Sequence, residues 1–378
     1  MHIAYVYDAI YPYILGGVER RVWELSQRLA KRGHEVHLYG MQWWDGEADI
    51  EREGVMIHGT CRPVPLYRGG KRTVSQAVRF GASMARPLVR ERFDVIDCQQ
   101  FPYTSALVAV LAARISRSPL VITWHEVWGD YWYEYLGAAG AAGKLAERLL
   151  ARRSDHPVAV SETTRAGLVS AGVETDVRII PNGIDLAEID RIRPSGSGSD
   201  LVFIGRLIRE KHVDLLIRAV SILKEREPGI SCLIIGDGPE RALLEGLVAS
   251  CGVRENVCFT GFLPDSGEVI ALMKSSRVFV LPSTREGFGI AALEALASGL
   301  PVVTIDHPGN ASREFASGGC GRLARLDPGD LARVIGEVLS SLGNNRDTCQ
   351  LRASSYDWDA VTDRIEDYYI DIISGSVQ

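Results

Sequence analysis

The sequence has no apolar run approaching the roughly 20 residues that a bilayer-spanning helix needs. It has no Cys-x-x-Cys pair. Its seven cysteines (Cys61, Cys98, Cys232, Cys251, Cys258, Cys320 and Cys349) are scattered, with no histidines at zinc-finger spacing, which excludes a zinc ribbon and a disulfide framework. Contexts such as SCLII and NVCFT fit buried free thiols in a reducing cytoplasm. It has no basic excess: the net charge of −6 argues against a general nucleic-acid binder. The segment MHIAYVYDA shows no basic region followed by an apolar stretch, so no signal peptide is expected. In a cytoplasmic protein the sequon at Asn310 then stays unused. A G-x-G-x-x-G fingerprint is also missing, which weighs against a dinucleotide enzyme.

What is present is an ordinary globular composition: 378 residues, 46% apolar and 24% charged, on size alone enough for two domains or one large one. Short apolar runs alternate with segments of helical period, the pattern of a parallel α/β fold. IAYVY leads through the glycine loop LGG to a helix at about 18–31, with Val18, Val22, Leu25 and Leu29 on one face, and Gly33 ends it before EVHLY. Further strands are expected at DVID, LVITW, PVAVS and VRII. The stretch RIRPSGSGSD, 191–200, loses periodicity and is the linker candidate. After it the plan restarts with LVFIG, a helix at 212–226, CLIIG, VCFT, VFVLP and PVVT. Two Rossmann-like parallel-sheet domains facing an interdomain cleft are expected, with ligands at the carboxyl ends of the strands. We place the first domain at 1–185, the second at 186–358 and a terminal helix at 359–378. Asp357 and Asp359 make an Asp-x-Asp pattern, but its place before a helical run favours helix capping over metal binding.

Chemistry is expected from the loops after the strands. In TREGFGIAALEALASG, Glu286 and Glu294 flank Gly287, Phe288, Gly289 and Ile290 at the start of a helix. Two carboxylates invite a hydrolytic reading, and the spacing alone leaves an inverting glycosidase open. The glycines point elsewhere, because backbone N–H groups at a helix start make an anion site of the kind a nucleotide diphosphate needs. In GRLIREK, Gly205 to Lys211, the cations Arg206 and Lys211 follow a strand, where they can take up charge on a leaving phosphate. Gly16 and Gly17 form a second loop for close approach, and His125 follows LVIT. Each feature alone also fits ordinary turns, solvated charge or a structural histidine.

Taken together, GGVERRVWELSQRLAKRGHEV, PNGID, GRLIREK, GDGPE, TGFLP and EGFGIAALEALASGLPVV resemble, in order and over nearly the whole chain, family 4 of the retaining glycosyltransferases with the GT-B fold. The resemblance implies a nucleotide-sugar donor, such as a UDP- or GDP-sugar, on the second domain and an acceptor on the first. It implies that Arg206 and Lys211 contact the donor diphosphate, that Glu294 holds the ribose and that Glu286 holds the transferred sugar. Phe288, Gly289 and Ile290 would line that sugar, Gly16 and Gly17 would close over the phosphates, and His125 would face the reacting carbon. Phe262 and Leu263 would flank the base, and Gly205, Asp237, Gly238 and Gly287 would complete the donor site. The terminal helix would cross back onto the first domain. Retention by front-face displacement, with no cofactor and no metal, follows from the same resemblance. The loop HPGNASREF departs from the family pattern by carrying Asn310 where glycine is common, which leaves the role of Glu314 open; WHEVWGDYWYEYLG is unusually aromatic and suits a distinctive acceptor or donor pocket.

From Arg62 to Arg92 the chain carries eight basic residues against Glu91 alone. The part up to Pro87 reads as a helix with Val74, Val78, Ala82 and Ala85 on one face and Arg72, Arg79 and Arg86 on another. A solvated face is one reading; docking to an anionic membrane, on the cytoplasmic side, or to a lipid-phosphate acceptor is the other. A nucleotide-sugar epimerase of the same plan, a phosphorylase-like enzyme with pyridoxal phosphate and a non-catalytic sugar-nucleotide sensor are the competing classes.

Overall fold

The structure, a computed structural model, describes residues 1–68, 71–341 and 345–375. The side chains of Arg68 and Lys71, two members of the basic strip, lie outside the described residues. The chain forms two compact units: unit 1 is Met1–Gly183 with Trp358–Gln378, and unit 2 is Ile184–Asp357.

In unit 1 the elements run β1 (His2–Val6), α1 (Gly17–Lys31), β2 (Glu35–Met41), β3 (Asp49–Arg52), β4 (Val55–Cys61), a small hairpin β5 (Tyr67–Arg68) and β6 (Lys71–Arg72), α2 (Val74–Arg90), β7 (Val95–Gln99), α3 (Tyr103–Ser116), β8 (Leu120–Trp124), α4 (Tyr131–Leu136), α5 (Gly140–Ala151), β9 (His156–Ala159), α6 (Glu162–Ala171) and β10 (Arg178–Ile179). Eight strands form one sheet in the order β10-β9-β8-β7-β1-β2-β4-β3, parallel except for β3 against β4. Helices cover both faces, so β7 and β8 are buried at every residue; β8 reads as a near-continuous apolar run, while β7 also buries Asp97 and Gln99. The edge strand β3 is half exposed, and its polar sequence DIER gave no strand signal.

Helix α1 buries Val22, Trp23, Leu25 and Leu29. It stops where Gly33 takes a positive φ of 87°, which lets the His34 N–H reach the Leu29 carbonyl at 3.2 Å. Helix α2 corrects two expectations. It does not end at Pro87 but runs to Arg90, because Phe80, Met84 and Leu88 dock into the core beside Ala106 and Ala109 of α3 and outweigh the lost backbone bond. Gly81 permits this contact, since a Cβ there would lie 3.1 Å from the Thr104 carbonyl carbon. Arg72 precedes the helix and does not share a face with Arg79 and Arg86. It turns inward and pairs with the buried Asp8 at 2.8 Å. The stripe of Val74 and Val78 faces solvent, 73% and 54% exposed.

Unit 2 runs α7 (Leu186–Arg191), β11 (Leu201–Ile204), α8 (Val213–Lys224), β12 (Cys232–Ile235), α9 (Arg241–Ser250), β13 (Val257–Gly261), α10 (Ser266–Lys274), β14 (Val278–Leu281), α11 (Ile290–Ala297), β15 (Val302–Ile305), β16 (Gly321–Ala324), α12 (Pro328–Ser340) and α13 (Asn345–Ser354). Its six strands are all parallel, in the order β13-β12-β11-β14-β15-β16. The chain passes between units at Gly183–Ile184, ahead of the Pro/Gly/Ser stretch taken as the linker. That stretch is tied into unit 2 instead: Ser195 donates its N–H to the Ala271 carbonyl at 3.0 Å, and Lys274 reaches the Ile192 carbonyl at 2.9 Å.

The chain then returns to unit 1 as α14 (Trp358–Ser374). Trp358, Val361, Ile365, Tyr368, Tyr369 and Ile372 recur at helical spacing and enter the core shared with Ile3, Tyr5, Val22 and Leu25. Asp359 of the Asp-x-Asp pattern accepts from Arg28 Nε at 2.8 Å, and Asp357 accepts from the Leu186 N–H at 3.2 Å. Both carboxylates therefore hold protein donors.

Candidate functional site

In unit 2 the sheet order changes direction at β11, which has β12 on one side and β14 on the other. Loops leaving such strands diverge to opposite faces and open a crevice at their carboxyl ends. Arg206 and Lys211 follow β11, and Glu286 follows β14, so they flank this point. Backbone lacing brings the two loops together. The Thr284 N–H donates to the Glu210 carbonyl at 3.0 Å, Ser283 Oγ to the same carbonyl at 3.1 Å, and His212 Nε2 meets Thr284 Oγ1 at 3.1 Å. Lys211 Nζ is thereby carried onto Glu286 Oε1 in a half-buried ion pair. Arg206 is exposed on the same loop.

Glu286 is fixed from a third side. Its N–H donates to the Gly309 carbonyl and its carbonyl accepts from Ala311, both at 2.9 Å. Asn310, at 0% exposure, holds this loop shut: Nδ2 donates to Thr304 Oγ1 at 2.9 Å and to the Ile305 carbonyl at 2.8 Å, while Oδ1 accepts from Ser312. The residue that departs from the family pattern thus anchors the backbone of Glu286. Gly289 begins α11 at φ 91°, and a Cβ there would stand 2.8 Å from Ser312 Cβ. Phe288 turns into the core against Phe315, so only its backbone is available beside the helix start. Glu294 lies one turn inside α11, half-buried, and Gly287 and Ile290 are half-buried beside it.

The loops after β11 and β12 pack closely. Leu207 donates its N–H to the Asp237 carbonyl at 2.9 Å, and a Cβ on Gly238 would stand 2.3 Å from the Leu207 carbonyl oxygen. Gly238 is thus required by its neighbour loop. Gly205 donates to the Ile235 carbonyl at 3.0 Å, Asp237 is exposed, and after β13 Phe262 is 64% exposed with Leu263 half-buried.

In unit 1 the order reverses between β1 and β7. Gly16 and Gly17 lie exposed at the start of α1, whose first turn also carries Glu19. Glu19 folds beneath the glycines, where a Cβ on Gly16 would meet its Oε2 at 2.3 Å, and burial pushes its carboxyl up to about 7. Sequence reasoning passed over this residue, although an acid two residues after a glycine pair was the available signal. His125 follows β8 and its Nε2 lies 2.8 Å from Gln99 Oε1. Gln99 donates its amide to Asp97 at 2.9 Å, which turns its oxygen to the imidazole and makes Nε2 the protonated nitrogen. Asp97, fully buried, also accepts from Thr123 at 2.8 Å and from Tyr369 of α14 at 2.6 Å; burial holds its carboxyl above the usual range. Burial and the charge of Arg21 push His125 down to about 3, so the imidazole is neutral at ordinary pH. The aromatic segment after it is held by Glu147, which is buried and accepts from the Trp128 and Gly129 N–H groups, both at 2.8 Å.

Residues 15–188 match the model of Glycosyltransferase Family 4, and residues 188–353 match that of Glycosyl transferases group 1. An uncharacterised glycosyltransferase of Methanocaldococcus jannaschii is 30% identical over 333 residues, 80% of this chain and 80% of its own length. The chain belongs to glycosyltransferase family 4. A glycogen synthase of Mycobacterium tuberculosis, another relative of this family 4 glycosyltransferase, is 27% identical over 385 residues, 95% of this chain and 92% of its own. Among solved structures, sucrose-phosphate synthase from Thermosynechococcus elongatus superimposes with a TM-score of 0.79 at 19% identity over 99% of both chains. Anabaena HepE in complex with UDP-glucose does so with 0.72 at 19% identity, over 97% of this chain and 98% of that one. The fold is GT-B, with the two parallel-sheet α/β domains that the family 4 assignment requires. Of the residues expected to act in this glycosyltransferase, the structure brings Lys211 and Glu286 into direct contact and sets Gly287–Ile290 beside them. Arg206, Asp237 and Phe262 stand at the ends of neighbouring strands of the same sheet.

Proposed function

We propose that this glycosyltransferase moves a sugar from a nucleotide-diphosphate donor, a UDP- or GDP-sugar, to an acceptor hydroxyl with retention of anomeric configuration and without a divalent metal. The observation that carries the reading is the Lys211–Glu286 pair in front of the Gly289 helix start, at the switch point of a parallel sheet. A cation and an anion in mutual contact are a site held neutral until its ligand arrives. On binding, Lys211 and Arg206 turn to the diphosphate and Glu286 to the sugar hydroxyls. Glu294, lower on the same helix, takes the ribose, and the helix start receives phosphate charge. The binding of UDP-glucose by HepE agrees with such a donor.

In the reaction, the bond from the anomeric carbon to the phosphate oxygen breaks as the acceptor oxygen bonds to that carbon on the same face. The acceptor proton passes to the departing phosphate oxygen, and Arg206 and Lys211 hold the charge that develops there. His125 is neutral, so it serves as a hydrogen-bonding partner to the sugar and carries no proton through the cycle. The acceptor is read as lipid-linked or as a glycan. The outward face of α2 supports the former: Val74 and Val78 are exposed beside Arg79, Arg86 and Arg90, and the helix contains no acidic residue. Such a face suits anionic lipid on the cytoplasmic side of a membrane.

The test is a thermal-shift panel of UDP-, GDP- and ADP-sugars, followed by proton NMR of the product. A preferred donor raises the midpoint by mass action without added metal, and the product keeps the donor's anomeric coupling. Inversion, a strict metal requirement or a covalent glycosyl adduct on Glu286 would overturn the mechanism. Donor isomerised without acceptor would mark an epimerase instead.

A further inference from the structure

Away from the loops that carry Gly16 and His125, the sheet of unit 1 gathers three histidines from adjacent strands. His2 begins β1, His37 lies on β2 and His58 on β4, with the His37 and His58 rings stacked at 5.1 Å and the His2 ring edge-on to His37 at 4.8 Å. Glu91, between α2 and β7, closes the group, and its Oε1 stands 3.3 Å from His2 Nε2.

The surrounding hydrogen bonds decide which atoms point inward. His2 Nδ1 lies 3.2 Å from the Arg92 carbonyl, which only accepts, so Nδ1 carries the proton and Nε2 is left as a bare lone pair. That Nε2 is buried and has no hydrogen-bond partner. His58 Nδ1 lies 2.9 Å from the Asp49 carboxylate and donates to it, so His58 Nε2 accepts from His37 Nδ1 at 2.8 Å. His37 Nε2 lies 3.3 Å from Glu35 Oε1, which only accepts, so it carries a proton that an incoming metal ion would displace. Glu91 spends its other oxygen on the Tyr39 hydroxyl at 3.1 Å. The unpartnered His2 Nε2, the Glu91 carboxylate oxygen and His37 Nε2 therefore converge on one point, where a cation that replaces the His37 proton would be met by two imidazoles and a carboxylate.

We propose that His2, His37 and Glu91 bind a divalent transition-metal ion, with zinc the best match to two imidazoles and a carboxylate. The three ligating atoms already lie within 4.8 Å of one another. Bonds of about 2.0–2.1 Å in a tetrahedron require separations of about 3.3 Å, which the His2–Glu91 pair already meets. Glu35 or water supplies the fourth position. Each ligand is braced from behind, by the Arg92 carbonyl, by the His58–Asp49 chain and by Tyr39, as metal-binding imidazoles and carboxylates usually are. The ion would tie β1 and β2 to the segment that enters β7. It stabilises unit 1 and takes no part in sugar transfer, so the proposal stands whether or not the donor reading does.

The test uses the full chain stripped with a chelator. Titration with zinc chloride is expected to show one ion per chain at this site and, at about 100 times Kd, to raise the unit 1 melting midpoint by on the order of 5 °C or more; magnesium does neither. His2→Ala and Glu91→Gln should each weaken zinc binding at least ~10-fold. Glu91 lies outside the strands, between α2 and β7, so its variant keeps the test informative if His2→Ala disturbs the packing of β1. Affinity should fall as pH drops through the imidazole range, because zinc must displace protons. With cobalt, a visible spectrum lacking a thiolate charge-transfer band is expected. No binding, which would mean that protons alone fill the cluster, overturns the proposal. So does binding that both variants leave intact, or a thiolate band pointing to the cysteines.

Discussion

Acid should unfold unit 1 partly through His125, and the structure sets the size of the effect. The imidazole has a folded pKa of about 3 against 6.5 in the unfolded chain. The unfolded state therefore binds the extra proton first, and stability falls as pH drops below 6.5 and keeps falling until about pH 3. Integrating that proton uptake between pH 7 and pH 4 gives a loss of about 3 kcal/mol. Asp97, Asp8 and Glu19 have raised folded pKa values and act in the opposite sense, gaining stability on acidification. They are common to wild type and variant and cancel in a comparison. His125→Asn removes the titrating group and keeps an amide that can donate to Gln99. All seven tryptophans lie in unit 1, so their fluorescence in urea follows this unit alone. With a slope of about 1–3 kcal/mol per molar urea, wild type should lose at least roughly 1 M more in its midpoint between pH 7 and pH 4 than His125→Asn does. Equal losses in the two proteins would refute a buried neutral imidazole at this position, and with it the account of His125 as a partner that never carries a proton.

Three other outcomes are expected. Arg206→Ala should lower kcat about 100-fold while changing stability by no more than about 1 kcal/mol, read by steady-state kinetics and calorimetry; unchanged turnover would remove Arg206 from the site. Glu19→Gln should gain about 2–3 kcal/mol on wild type between pH 5 and pH 9, because the raised folded pKa makes ionisation costly as pH rises through 7; tryptophan-monitored unfolding at the two pH values tests it. Gly289→Ala should destabilise unit 2 by about 1–3 kcal/mol, since φ of 91° and the 2.8 Å approach to Ser312 both exclude a side chain; an unshifted calorimetric transition would contradict the left-handed start of α11.

The parts of the fold that follow from local pattern were readable in the sequence. Apolar runs such as LVITW became buried parallel strands, and the glycines before IAALEALA became a helix start, because both depend on neighbours within a few residues. What escaped depends on partners far along the chain. Arg72 looked like part of a solvated basic strip, yet Asp8, 64 residues earlier, draws it inward. Pro87 looked like a helix end, yet Leu88 is held in the core by α3. Asn310 looked like an unexplained departure, and its meaning lies in Thr304, Ile305 and Ser312. The three histidines of the β1–β2–β4 cluster have no spacing signature, since strand register alone assembles them. The glutamate–lysine contact of the candidate site was legible only as two separate motifs; the lacing of Thr284 to Glu210 joins them.

The return of α14 to unit 1 has a consequence for biosynthesis. The ribosome releases the whole of Ile184–Asp357 before Trp358 and Tyr369 emerge. Unit 2 has its full sheet by then and can fold on leaving the tunnel. Unit 1, although synthesised first, still lacks the helix that fills its core and the hydroxyl that satisfies Asp97. The first domain made is thus the last one finished, and until α14 docks it presents an apolar groove along β1 and α1 to whatever chaperone attends the nascent chain.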